Sequence, residues 1–316
     1  MLRPSLFITS NAIGDAIFSS GLLHHIAKDE PDHPLFVACG AAPAPLFRYM
    51  PNVEKIFPFR KEKYKLHWLK LYGRALPHRY HRIIDLRDSV LSRVLVARHK
   101  HILKPDMEKN RVEHIGALFH LDPPPAPYIS IPAEIEGAVE KRLPKNVPLL
   151  AIGPTANWGN KIWSYTNYVE LCLALVKEGG VLHGASILIH AGPNEAAAVG
   201  RIKKAFIERG FAKARLIDFT ACPLLEAAAS LKHAKLYIGN DSGLTHLAAA
   251  VKAPSLALFG PTDDRLYAPF GGHCAIVRSV PLAEIIARSG GKFHDMSDIT
   301  VSQVYEAACR LLGRKS

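Results

Sequence analysis

An apolar run, Leu236-Tyr237-Ile238, meets a polar turn, Gly239-Asn240-Asp241-Ser242-Gly243-Leu244-Thr245-His246, which opens an Ala-rich helix reaching Val251. A second apolar run, Pro254 to Phe259, follows at once and is closed by Gly260-Pro261-Thr262-Asp263. Short apolar runs bounded by turn residues read as buried strands, so the unit is strand, turn, helix, strand. A polar, glycine-containing turn between a strand and a helix is where α/β proteins hold phosphate. Unpaired helix N–H groups and the positive end of the helix dipole point at the ligand there. Asp241, Ser242 and Thr245 offer side-chain oxygens, Gly243 admits close backbone approach, and His246 lies just inside the helix. Asp241 or Ser242 acting as a plain helix cap explains the same residue types.

The alternation extends along the chain. Leu6–Thr9, Leu35–Ala38, Val53–Ile56 and Arg82–Leu86 read as strands. The periodicity predicts helices over Ala16–Ile26 and Val90–Val96, with a turn over Ser10–Asp15 and a further helical stretch between the third and fourth strands. Prolines then interrupt at Asp122–Pro127 and at Leu143–Pro148, which marks an interdomain connection. The pattern restarts with strands at Leu149–Ile152, Ser186–His190 and Arg215–Asp218, and helices at Asn167–Lys177, Glu195–Arg209 and Leu224–Leu231. The expectation is an α/β chain of two Rossmann-like domains, residues 1–147 and 148–316, with parallel sheets facing a cleft. The last helix is free to pack back on the first domain.

No apolar run approaches the ~18–20 residues that span a bilayer. The N-terminus lacks a signal-peptide core and reads as the first strand. Five scattered cysteines without CxxC or His/Cys spacing point to a reducing compartment and no structural metal. Charge is informative because it is uneven. The formal net charge is +12, and Lys55–Arg111 holds 16 Lys and Arg against five Asp and Glu, together with His67, His78, His81, His99 and His101. A localised basic face implies an anionic partner: nucleic acid, an acidic membrane surface, or a substrate with phosphate or carboxylate groups. An ordinary solvated basic surface has the same composition.

Three further places carry candidate chemistry. Gly153-Pro154-Thr155-Ala156-Asn157-Trp158-Gly159-Asn160-Lys161 joins a strand to a helix and puts a lysine among small hydrogen-bonding residues, a common way to hold a diphosphate; a surface lysine beside a packed Trp163 is the plainer reading. Asn11-Ala12-Ile13-Gly14-Asp15 ends the first strand with a carboxylate able to take a proton from a sugar hydroxyl, or to cap the helix that follows; it is not a GxGxxG fingerprint. Glu226, in the first turns of the helix from Leu224, suits ribose hydroxyls or simply the helix dipole.

In this order the motifs resemble glycosyltransferase family 9, the lipopolysaccharide heptosyltransferases of the GT-B fold. The carrying residues are Ile13-Gly14-Asp15, Lys161-Ile162-Trp163, Leu225-Glu226-Ala227-Ala228, Asn240 to Ala250 and Leu258-Phe259-Gly260-Pro261-Thr262-Asp263. The resemblance covers most of the chain. It implies inverting transfer of a heptose or related sugar from a nucleotide diphosphate donor, ADP-heptose by preference, onto a lipopolysaccharide core acceptor, with no metal and no cofactor. It implies donor binding in the second domain and acceptor binding in the first. Asp15 would be the general base. Lys161 and the backbone of Ser242, Gly243 and Leu244 would bind the diphosphate, Glu226 the ribose, and Asp241 and His246 would lie near the sugar and phosphates. Thr155 and Asn157 complete the donor set; many members have Thr or Ser at positions 156 and 157, where this chain has Ala156 and Asn157. Many also have Pro where this chain has Gly21. Acceptor contacts would come from Asn11, Gly14 and basic residues including Lys61, Lys63, Arg87 and Arg93. The expected setting is cytoplasmic, peripheral on the inner face of a membrane. The rival readings are a nucleotide-sugar epimerase, a non-catalytic nucleotide-sugar-binding relative, and a nucleic-acid-binding protein, for which no recognised module is present.

Overall fold

The computed structural model describes residues 2–60, 62–63, 66–278, 280–289 and 296–313. They form two compact units, Met1–Pro132 and Ala133–Ser316. In the first, β1 (Ser5–Ile8), β2 (Leu35–Gly40), β3 (Val53–Phe59), β4 (Tyr80–Asp85) and β5 (Ala97–Ile102) make one sheet ordered β3-β2-β1-β4-β5, with every pair parallel. Its helices are α1 (Ile13–Asp29), α2 (Leu66–Ala75), α3 (Val90–Val94) and α4 (Arg111–Ala117). Strand β1 is buried at all four positions, as an inner parallel strand must be when both its faces are covered. Leu6, Ile8, Phe36, Ala38, Ile83 and Tyr80 form the core beside it.

Three details of this unit differ from the sequence reading. Helix α1 begins at Ile13, three residues early, because the Ser10 hydroxyl accepts the Ala12 N–H at 3.1 Å and sets Ala12 as the helix cap. Asp15 therefore stands inside the first turn. The run Asp122–Pro127, expected to connect the domains, packs on α1 instead. A Cβ on Gly21 would strike the carbonyls of Pro125 and Ala126, and the Tyr128 N–H donates to the Ser20 hydroxyl at 2.9 Å. Glycine at 21 makes room for that segment. Strand β5 escaped prediction altogether. It is an edge strand of sequence Ala-Arg-His-Lys-His-Ile with no fully buried residue, so it offers no apolar run.

The second unit contains α5 (Ala133–Glu140), β6 (Leu149–Gly153), α6 (Tyr165–Val176), β7 (Ser186–Ala191), α7 (Ala196–Glu208), β8 (Leu216–Thr220), α8 (Leu224–Lys232), β9 (Leu236–Asn240), α9 (Gly243–Ala250), β10 (Ser255–Leu258), α10 (Asp264–Tyr267), β11 (Cys274–Val277), α11 (Leu282–Ser289) and α12 (Val301–Leu311). Its six strands are ordered β11-β10-β9-β6-β7-β8, again wholly parallel. Counted from its own first strand, this order repeats that of the first unit and adds one strand. Two Rossmann-like units with parallel sheets are thus present, as the GT-B expectation requires. The units part at Pro132/Ala133 and not after residue 147, because α5 packs on α8, where Lys232 pairs with Glu136 and His233 faces Glu140 at 3.6 Å. The last helix, α12, packs on α6, β10 and β11 of its own unit.

Beneath the sheet of the second unit lies a titratable core group. His190 on β7 is fully buried, stacks on Phe219 at 5.3 Å, and shares a 2.8 Å hydrogen bond with the Ser230 hydroxyl. Burial pushes its pKa down to about 3. Below the unfolded value of about 6.5 the unfolded chain takes a proton that the native state refuses, so stability drops as the pH is lowered, by about 1.4 kcal/mol per pH unit from this group. We expect His190→Gln to remove that slope between pH 6 and 4, read by urea unfolding against the parent protein; parallel slopes would show that His190 does not carry it.

Candidate functional site

In doubly wound sheets the crevice lies at the carboxyl ends of the strands where strand order reverses. The reversals here fall between β1 and β4 in the first unit and between β6 and β9 in the second. The sequence candidates gather at both.

At the second reversal β9 ends in Asn240, whose side chain is a strut. Its Oδ1 accepts the Trp163 N–H at 3.1 Å and the Tyr168 hydroxyl at 3.0 Å, and the Trp163 indole donates to the Ile299 carbonyl at 2.8 Å. These bonds fasten the loop from Gly153 to Trp163 against the end of β9. Glycine is required at both strand ends, since a Cβ on Gly153 or on Gly239 would collide with the hydroxyl of Tyr237. That hydroxyl lies 3.2 Å from Thr245 Oγ1, and Thr245 in turn donates to the Asn240 carbonyl at 2.6 Å.

The fastened loop delivers Lys161. Its ammonium lies 2.6 Å from Asp241 Oδ2, and the Thr262 hydroxyl donates to the same oxygen at 2.7 Å. His246 Nε2 is 3.6 Å from Asp241 Oδ1. The pair is largely sequestered, with side-chain exposures of 19% for Lys161 and 7% for Asp241. Burial alone would raise the Asp241 carboxyl, but the bonds and charges of His246 and Lys161 outweigh it and hold the group well below the usual carboxylate range. Asp241 is an anion at any physiological pH. Helix α9 starts beside it with Ser242 at the cap position, and the Ser242 side chain makes no cap bond to the helix. The capping alternative is therefore not realised, and Gly243 and Leu244 begin a helix whose positive end meets an ammonium group. An ammonium has three donors, so Lys161 retains capacity for an anion while bound to Asp241.

The remaining donor candidates are spread along the same sheet edge. Buried Thr155 donates to Glu195 Oε2 at 2.6 Å, and the same oxygen accepts the Gly192 N–H at 2.5 Å. Sequence reasoning missed Glu195. The Gly192-Pro193 start with a glutamate three positions on was the signal available, a helix-start signature. Asn157 is exposed on the Lys161 loop. Glu226 stands apart from Lys161 and Asp241 in the hydrogen-bond pattern: Arg142 binds its Oε2 at 2.7 Å while lying 4.4 Å from the Phe219 ring centroid.

At the first reversal, a cavity of about 440 Å³ is lined by Ser10, Asn11, Asp15, Arg87, Lys104 and Arg111, among others. The Ser10 hydroxyl donates to Asp15 Oδ2 at 3.1 Å, and Arg87 donates to Ser10 Oγ and to Asn11 Oδ1, each at 3.2 Å. The N-terminal turn of α1 and the end of β4 thus meet over Asp15. Gly14, one residue before it, is half-buried in α1. Burial first, and then the Arg111 charge, lowers the pKa of His114 on the cavity wall, so this imidazole is neutral near pH 7. Arg93 does not itself line the cavity but lies 2.9 Å from Asp88, which does and which also pairs with the lining residue Lys104. Lys63 is exposed, and Lys61 lies outside the described residues. Lys104 and Arg111 belong to the basic segment but were not singled out in sequence; their cavity position depends on β5 and α4, neither of which was legible there.

We expect Asn240→Ala to leave the Trp163 N–H and the Tyr168 hydroxyl without their acceptor, at a cost of about 1–3 kcal/mol each. A fall of this order in urea-unfolding stability would confirm the strut, and a change below about 0.5 kcal/mol, the scatter of a neutral surface substitution, would refute it.

Known proteins match this arrangement. The family model described as glycosyltransferase family 9 (heptosyltransferase) matches residues 117–289. Lipooligosaccharide heptosyltransferase 2 of Haemophilus influenzae is 24% identical, over 98% of this chain and 99% of its own length. A solved glycosyl transferase family 9 protein from Veillonella parvula superposes with a TM-score of 0.80 at 17% identity, covering 98% of this chain and 97% of its own. The E. coli ADP-heptose lps heptosyltransferase II structure gives a TM-score of 0.74 at 21% identity, with 98% of each chain covered.

Proposed function

Because the chain belongs to glycosyltransferase family 9 and is a glycosyltransferase, we propose that it moves a heptose with inversion from ADP-heptose to a lipopolysaccharide-type core acceptor. The observation that carries this reading is the largely sequestered Lys161–Asp241 pair at the start of α9, which sets an ammonium with spare donors beside a helix N-terminus. The acceptor hydroxyl oxygen attacks the anomeric carbon as the bond from that carbon to the diphosphate oxygen breaks. Positive charge develops on the sugar and negative charge on the diphosphate. Lys161 and the backbone N–H groups of Ser242, Gly243 and Leu244 receive the developing charge, and Asp15 takes the hydroxyl proton. Thr155, Asn157, Glu226 and His246 complete the donor contacts, with Glu226 exchanging Arg142 for ribose hydroxyls. Asn11, Gly14 and Arg87 bind the acceptor, and Arg87 lies where an acidic group beside the reacting hydroxyl would be neutralised. Coupled release of ADP from ADP-heptose with a heptose-accepting core oligosaccharide is the direct assay. Removing a fixed donor of this kind costs about 10²–10³ in rate. We expect that loss from Lys161→Ala, and a comparable loss from Asp15→Asn with binding of ADP unchanged. Turnover within a few-fold of the parent for Asp15→Asn would exclude it as the base.

We further propose that the basic segment meets an anionic membrane surface on the cytoplasmic side. Helix α2 turns His67, Leu71 and Ala75 inward and leaves Leu66, Leu69, Lys70 and Arg74 exposed. The adjacent α3 exposes Val90, Arg93 and Val94. Three carboxylates here are already partnered: Asp85 accepts from Arg87 N, Ser89 N and Ser89 Oγ, Asp88 from Arg93 and Lys104, and Glu62 pairs with Lys70 at 2.8 Å on the exposed face. Exposed aliphatic and cationic side chains side by side suit the headgroup region, at about 1 kcal/mol per engaged cation. Among the described residues no helix is long and apolar enough to cross a membrane. We expect sedimentation with phosphatidylglycerol vesicles that weakens in 0.5 M salt and after Lys70→Glu/Arg74→Glu, while neutral vesicles bind poorly. Salt-insensitive binding would contradict this reading.

A further inference from the structure

The ends of four neighbouring strands in the second unit are tied by one line of polar contacts. Arg278 follows β11, Gly260 and Thr262 follow β10, Asp241 follows β9, and Lys161 follows β6, in the spatial order of the sheet. Arg278 is 9% exposed, and its guanidinium is spent on the β10 loop. Nη1 donates to the Gly260 carbonyl at 2.5 Å, Nη2 donates to the Thr262 carbonyl, and Nε lies 2.9 Å from Asp264 Oδ1. Thr262, fixed in this way, turns its hydroxyl onto the Asp241 oxygen that also holds Lys161. The loop also sits close to the lysine loop, since a Cβ on Gly260 would lie 3.5 Å from the Asn160 carbonyl.

We infer that Thr262 and Arg278 are positioning residues for the Lys161 ammonium, acting through Asp241, so that diphosphate binding depends on a side chain three strands away. The inference rests on the proposed role of Lys161. A carboxylate held only by Lys161 and His246 is free to turn about its terminal torsion and to draw the ammonium with it. The Thr262 hydroxyl removes that freedom by fixing Oδ2. It also takes up part of the Oδ2 charge, which leaves more of the ammonium's field for an incoming anion. Arg278 decides where that hydroxyl stands, because both carbonyls flanking Pro261 are held by one rigid, planar fork. A lysine in its place supplies charge to Asp264 but not the forked pair of bonds.

The test is a double-mutant cycle on the intact protein, read in kcat, in KM for ADP-heptose and in the calorimetric Kd of ADP. A misplacement of about 1 Å at a catalytic group costs on the order of 10²-fold. We expect Thr262→Val to lower kcat by about 10- to 100-fold with the acceptor KM unchanged. Thr262→Ser should restore it, and Arg278→Lys should behave like Thr262→Val. In a Lys161→Ala background neither substitution should cost more than about twofold, because coupled residues are not additive. The thermal midpoint of Thr262→Val separates this from unfolding, since the valine is isosteric and its effect must appear at a midpoint close to the parent's. Full additivity with Lys161→Ala, or Thr262→Val within twofold of the parent, overturns the inference. If the parent does not turn over ADP-heptose, the functional proposal fails by itself, and the same cycle in ADP Kd still decides the positioning role. Absence of ADP binding by the parent overturns both.

Discussion

The second unit is organised around a buried negative charge. Taking a carboxylate such as Asp241 out of water costs several kcal/mol unless partners replace the solvent it loses. Here three elements supply them: Lys161 from the loop after β6, Thr262 from the loop after β10, and His246 from the first turn of α9. Each partner has to come from a different segment because the carboxylate stands at the end of a central strand, with one neighbouring strand on either side. The charge therefore specifies how three loops meet. A parallel sheet makes this possible by bringing all of its β-to-α loops to one edge, whereas an antiparallel sheet would send alternate loops to the opposite edge.

The core below that edge makes the arrangement rigid. Trp163 and Tyr168 are fully buried, in edge-to-face contact at 5.1 Å, and both present a polar hydrogen to Asn240. A loop carrying a lysine would ordinarily be mobile, and a mobile cation is a poor electrostatic catalyst because it must be reoriented at each turnover. Anchoring the residue two positions beyond Lys161 to a buried amide, while a tryptophan from the same segment sits in the core, moves that ordering cost from the reaction to the folding step.

How much of this was legible in the sequence follows from the distance over which each interaction acts. The inner strands announced themselves as apolar runs because both faces are buried, and the Asn240–His246 turn was recognisable from residues adjacent in the chain. Strand β5 was invisible because an edge strand of alternating Arg, His and Lys needs no apolar signal. The short β11 and the helices after it were likewise not resolved by periodicity. Within the site, Lys161 and Asp241 could each be named, but not their pairing across 80 positions of sequence. The attachment of Glu226 to Arg142, 84 positions away, was equally out of reach. The same holds for Arg278, a lone arginine after a short strand. Local chemistry can be read in sequence; which groups neutralise one another is set by the order of strands in the sheet.

That principle also explains the first unit, where the sequence gathered charge without placing it. Of the cations in the basic segment, Arg87, Lys104 and Arg111 line the cavity of Asp15, Arg93 pairs with the lining residue Asp88, and Lys70 and Arg74 face outward. One run of positive charge is thus divided by the fold between two places. In the proposed reaction, cations around Asp15 would lower the cost of bringing an acidic acceptor up to a carboxylate that must itself be anionic to act as a base. Without them, the repulsion between base and acceptor would oppose binding most strongly in the ionisation state that catalysis requires. The outward cations lie beside exposed aliphatic side chains, and Lys70 shares its charge with Glu62 at 2.8 Å on the same surface. Under the proposed function, the charge of this segment divides between the cavity of Asp15 and the face of α2 and α3.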